Sequence, residues 1–141
     1  SLMGPALPPP HINVDERPTL GPGEGPRDLL RRSFKQWLEF YAANRDLTTV
    51  ILKEASSIDA RFEQGFGELR RIAVEHFSAR LRSLQEFGIV RASCSPEFVA
   101  HMWLGLFDEV LSAFVLKDPN ADLEALPAQL ADFAWAGIRP E

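Results

Sequence analysis

The sequence contains a single cysteine, Cys94. One thiol can neither staple a fold nor complete a zinc site by itself, so a reducing compartment is expected rather than a disulfide scaffold. Positive charge is also short: 15 Lys and Arg face 20 Asp and Glu, for a net charge of −5. Nucleic-acid affinity comes mainly from Lys and Arg neutralising phosphates, so an acidic chain without a basic stripe is not expected to hold DNA alone. The one basic cluster, Arg27, Arg31, Arg32 and Lys35, falls at helical spacing and reads as a solvated face. No continuous apolar run reaches the ~18 residues of a bilayer span. No charged-then-apolar leader opens the chain either. The expectation is a cytoplasmic protein with no membrane partner.

Catalytic signatures are missing as well. The chain has no phosphate-cradling glycine loop, no zinc-ligand spacing and no nucleophile elbow. Its three histidines, His11, His76 and His101, stand apart in sequence, and no acids are spaced to complete a metal site with them. Cys94 with His101 would make a nucleophile pair only with a third, orienting residue, and none is identifiable. Glu75, Asp108 and Glu109 are carboxylates without a recognisable partner. The chain is therefore read as non-enzymatic, with no metal and no cofactor.

What is present divides the chain in two. Residues 1–26 hold seven of the 11 prolines and four of the nine glycines, including Pro8-Pro9-Pro10 and Gly21-Pro22-Gly23. That composition denies both helix and strand and reads as an arm or linker. Leu7, Ile12, Val14 and Leu20 are the residues expected to anchor it to the bundle or to a partner chain. All ten Phe, all three Trp and Tyr41 follow residue 26, so residues 27–141 carry the core.

Those residues read as five helices, with no alternating strand pattern and no internal repeat. The first is expected from near Pro26 to Ala43, with Leu30, Phe34, Trp37 and Tyr41 on one stripe. The second, capped by Asp46, spans Leu47 to Ser56 with Leu47, Val50, Ile51 and Ala55 inward. The third follows Asp59 and runs to Phe87 through Phe62, Phe66, Leu69, Ala73, Phe77, Leu81 and Leu84. Gly65 and Gly67 mark a kink or a delayed start, and Gly88 is its C-terminal stop. Ser95-Pro96-Glu97 places a cap, an N1 proline and a first-turn acid in succession, opening a fourth helix to Leu116. The fifth spans Leu123 to Ile138, with Pro127 either at its first position or kinking it.

The fourth helix is apolar over most of its circumference, through Phe98, Met102, Trp103, Leu106, Phe107, Val110, Leu111 and Phe114. Only the line of His101, Gly105, Asp108 and Ser112 interrupts it. Such a helix needs cover on more than one side. Surplus apolar surface on the last two helices argues for a partner, and an identical chain related by a two-fold is the simplest. Gly105 and Ser112 would allow close approach, and Leu123, Leu126, Leu130 and Phe133 form the expected seam of the fifth helix. The competing reading makes the fourth helix a central core helix covered by its own chain.

The aromatic residues also suggest an interior space. Trp37, Tyr41, Phe62, Phe66, Phe77, Met102, Trp103 and Phe107 are expected to line it, with His76, Arg80 or Tyr41 orienting a small apolar or aromatic ligand. Aromatics at helical spacing are otherwise ordinary core.

Several runs resemble the sensor half of TetR-family transcription regulators. Phe40-Tyr41-Ala42-Ala43-Asn44-Arg45-Asp46-Leu47-Thr48-Thr49-Val50 is similar to the start of that domain, with its aromatic pair, Asn, and Asp-Leu opening an apolar helix. Lys53-Glu54-Ala55, the link through Ile58-Asp59, Gln85-Glu86-Phe87-Gly88-Ile89-Val90-Arg91, Ser95-Pro96-Glu97-Phe98 and the closing Asp122 to Pro140 follow in the same order. The similarity covers about residues 27–140. It implies an all-α five-helix antiparallel bundle that binds an effector and dimerises through its last two helices. It further implies that a ligand shifts the helices and so the spacing of attached DNA-binding heads. The family's helix-turn-helix is absent from these residues, and without a recognition helix nothing reaches a major groove. DNA contact is therefore expected only through a domain outside this sequence, in a fragment of a longer regulator or in a relative lacking the head. The alternative is a helical interaction module with a solid core and no ligand.

Overall fold

The computed structural model of the chain describes residues 22–54 and 60–140, with side chains for 22–50 and 70–140. The expected anchors of the arm and the inward position Ala55 lie outside the described residues, and Ile51, Phe62 and Phe66 lie outside those with described side chains. Among the described residues there are five helices and no strand.

Helix α1 spans Pro26–Ala43, with Pro26 at its first position, where a missing N–H costs nothing. The Asp28 carboxylate turns back to accept from the Gly25 N–H at 3.0 Å. Helix α2, Arg45–Glu54, begins two residues earlier than expected, with Asp46 inside its first turn rather than capping it. Asn44 makes the join: its carbonyl accepts from the Thr48 N–H and from the Thr48 hydroxyl, each at 2.9 Å. Thr48 is buried in consequence, and the expected inward residues Leu47 and Val50 are exposed instead.

Helix α3, Ala60–Glu86, runs unbroken through Gly65 and Gly67. Gly88 ends it at φ 74°, and the Ile89 N–H reaches back to the Leu84 carbonyl at 2.9 Å, the six-to-one bond of a Schellman stop. Helix α4, Pro96–Val110, is capped by the Ser95 hydroxyl, which accepts from the Phe98 N–H. It does not continue as α-helix to Leu116. Leu111–Val115 widens into a π-helical turn, closed by the Leu116 N–H on the Leu111 carbonyl at 2.9 Å.

Helix α5, Ala125–Ile138, starts two residues later than expected. The Asp122 carboxylate accepts from the N–H groups of Glu124 and Ala125 and takes the capping role. Those bonds favour the charged form, which holds the Asp122 carboxyl below its ordinary range. Pro127 sits in the first turn, where its lack of a donor breaks no intrahelical bond, and no kink is needed.

Two core clusters meet along α4. One gathers Val74 and Leu81 of α3, Val99, Ala100 and Trp103 of α4, and Ala134 and Ile138 of α5. The other joins Leu38 of α1 to Phe107, Leu111, Val115 and Leu130. Arg27–Asp132 and Lys35–Glu124 ion pairs run α1 antiparallel to α5. Three of the four basic residues of α1 are thus engaged with acids of their own chain, Arg32 pairing Glu24 as well. The loop after α3 closes the far end of α5, the Arg91 N–H donating to the Ile138 carbonyl at 2.7 Å.

Among the described residues one segment, Pro96–Val115, is long and apolar enough by length and composition to cross a membrane, although His101, Asp108 and Glu109 interrupt its sequence. Only 33% of its most apolar stretch is buried within this chain. A helix that packs on its own chain at one side and on a partner at the other has the same composition.

Candidate functional site

The aromatic residues expected around an interior space do converge, but as rings in contact. Trp37 stacks on Tyr41 at 5.9 Å, and Phe107 meets Trp37 edge-on at 6.3 Å and Tyr41 at 5.8 Å. Trp103 receives Phe34 of α1 at 6.3 Å and Phe77 of α3 at 6.5 Å, both edge-to-face. Such pairs contribute about 0.5–1.5 kcal/mol each beyond the area they bury. Trp103 therefore links the outer helices through a single ring. Phe34, assigned above only to the first-helix stripe, is a full member of the group.

Polar groups stand at the edges of these rings. Tyr41 loses water around its phenol and lies near the Asp108 carboxylate, and the two effects push its pKa up to about 12. Asp108, a carboxylate without a partner in the sequence reading, is held by Arg70 of α3. His76 packs its ring against Phe77 at 5.6 Å. Burial, and secondarily the charge of Arg80 one turn on, lower the His76 pKa. No group of three or more His, Cys, Asp or Glu is placed to hold a metal among the described residues.

Met102 does not belong to this interior. It is exposed on the opposite side of α4 from Phe107, because steps of four from Phe98 through Met102 to Leu106 follow the outward stripe. Phe98, Met102, Leu106 and, on α5, Phe133 are all large and exposed, Phe133 to 76%. Between α4 and α5, Met102, Leu106 and Phe133 border an open apolar groove of about 450 Å³ whose lining includes Trp103, Gly105, Glu109, Ala134 and Gly137. A Cβ added at Gly105 or Gly137 would meet nothing within 4 Å, so the groove is shallow and open at both glycines.

The expected interface residues divide accordingly. Gly105 and Phe133 lie on this outward face. Ser112 is half-buried in the π-helical turn. Leu130 is buried and Leu123 and Leu126 are half-buried, all three packed with the cluster of Leu38 and Phe107 beneath α1. The three leucines of the seam serve α1, while Phe133, the fourth member, turns outward. Phe98 and Leu106 join the outward face without having been assigned to the interface, although the spacing of Phe98, Met102 and Leu106 carries the signal.

No family model, no curated protein and no solved structure matches this chain.

Proposed function

We propose that this chain is a non-enzymatic, self-associating helical domain of TetR-sensor design, pairing with a second copy through the outward face of α4 and α5. The observation that carries the reading is the contiguous exposed apolar stripe of Phe98, Met102, Leu106 and Phe133. Isolated monomers rarely leave so many large apolar side chains together in water. The inner ring cluster, with Tyr41 and His76 at its margins, is the place for a small apolar or aromatic effector, and DNA contact belongs to a domain outside these residues.

A second reading is an interaction module with no ligand. The ring-to-ring contacts of Trp37, Tyr41 and Phe107 favour it, since rings already packed together leave little space.

Sedimentation velocity on the full chain tests the pairing, the expected particle being twice the 15.8 kDa of the chain. Phe133→Asp removes from each copy one ring that pairing would bury and should weaken pairing by at least about a hundredfold. A strictly monomeric native chain at tens of micromolar overturns the reading. A thermal-shift panel of apolar and aromatic compounds separates the two versions. A true ligand at a hundredfold excess over its Kd adds about 2.7 kcal/mol of stability, and uniform silence selects the ligand-free module.

A further inference from the structure

We infer that the second copy docks α4 antiparallel on α4, with the two-fold axis passing at Gly105, so that His101 of each copy faces Glu109 of the other. The inference rests on the pairing proposed above and specifies its register.

The outward side of α4 carries one complementary polar pair spaced evenly about a glycine. Gly105 lies near the middle of the exposed stripe, with open space where a Cβ would stand. Glycine at a helix crossing allows the two backbones to approach most closely, and the point of closest approach in a two-fold pair is the axis itself. An antiparallel crossing matches each residue before the centre with the residue equally far beyond it. Four residues on either side of Gly105 are His101 and Glu109, both exposed. Among the described residues, neither has a hydrogen-bond or ion-pair partner within its own chain. The operation therefore sets an imidazole N–H donor opposite a carboxylate acceptor, twice, at the two ends of the crossing.

Complementarity of a surface to itself under a two-fold specifies a second copy of this chain as the occupant. An unrelated helix would have to reproduce the same donor and acceptor spacing. Met102 and Leu106 lie beside the glycine on the exposed face, and Phe133 of α5 borders the same groove. The face thus has an apolar centre and polar ends, the usual anatomy of a protein interface.

Cross-linking through the axis position tests the register. In a Cys94→Ser background, Gly105→Cys should join to itself under mild oxidation, because residues on a two-fold at close approach fall within the ~4.4–6.8 Å Cα separation of a disulfide. Ser83→Cys, exposed on α3 and off the face, should remain uncrosslinked under the same conditions. Charge exchange gives an independent readout by sedimentation of the full chain. His101→Glu sets carboxylates opposite one another and should weaken the dimer about tenfold, from two repulsions of the order measured for exposed pairs. Adding Glu109→Lys should restore the affinity to within about twofold of native, because each Glu then faces a Lys. A native dimer whose Gly105→Cys variant does not cross-link, and whose double charge variant does not recover, overturns this register and leaves the pairing itself standing. A native chain that is monomeric overturns the pairing instead.

Discussion

Arg45, the first residue of α2, donates from Nη2 to the Val115 carbonyl at 2.8 Å, at the last residue of the π-helical turn. The same nitrogen reaches the Asp118 carbonyl at 3.2 Å. A helix terminus leaves carbonyls without intrahelical donors and carries partial negative charge. One guanidinium answers both needs and ties α2 to the end of α4, 70 residues away in sequence.

Arg45→Ala is accordingly expected to destabilise the fold by about 1.5–3 kcal/mol, the range for hydrogen bonds to a charged group. Calorimetry should show a melting point several degrees lower. Arg45→Lys should recover part of the loss, since an ammonium supplies the charge without the planar fork.

Leu38 is fully buried at the centre of the cluster beneath α5. Leu38→Ala should cost about 2–5 kcal/mol, the lost transfer energy together with the cavity left behind. Urea unfolding should show a lower midpoint with an unchanged slope. A loss below about 1 kcal/mol would mean the site collapses around the deletion or is less densely packed than its burial indicates.

Tyr41 is the single tyrosine of the chain, so its titration can be followed directly by tyrosinate absorbance. The midpoint should fall at about 12 in the folded protein, against about 10 in a free peptide. Because the folded pKa is the higher, the stability linked to Tyr41 is fully present below about pH 10 and is lost as pH rises through about 12. Asp108→Asn should lower the midpoint only in part, since burial is the larger cause.

His76 gives the opposite sense. Its folded pKa is lowered, first by burial and then by Arg80. The associated stability is present above about pH 6.5 and is lost as pH falls through the depressed folded value. Proton NMR of the imidazole should show a midpoint below that of a peptide histidine, and Arg80→Gln should raise it modestly.

Asp122 supplies the last test. Its folded pKa is depressed by the Ala125 and Glu124 N–H groups, so the stability it contributes is present above about pH 4 and is lost as pH falls through the depressed value. Asp122→Ala should lower the melting temperature at neutral pH, and its effect should shrink as the pH falls through the depressed value and the carboxyl protonates in the folded state as well.

Local signals locate the helices. Ser95-Pro96-Glu97 opens α4 as expected, Pro26 opens α1, and Gly88 stops α3 with a positive φ, because caps and stops act through atoms a few residues apart. Boundaries move where an alternative acceptor takes over: the Asn44 carbonyl displaces Asp46, and the Asp122 carboxylate moves the start of α5 to Ala125. The ring cluster of Trp37, Tyr41, Phe77, Trp103 and Phe107 is legible because residues three and four apart share a helix face. Its character as touching rings is not legible, since interhelical distances are absent from a single helix's periodicity.

By itself, the amino-acid order determined that the chain is helical after residue 26, where its apolar stripes run, and where several of its turns begin and end. Which neighbour each stripe serves was decided in three dimensions. The Leu123, Leu126 and Leu130 seam went to α1, while Met102 and Phe133 were left outward. The physical reason is that hydrophobic burial has no direction of its own: periodicity demands cover for a face, and only the packing of all five helices selects what provides it.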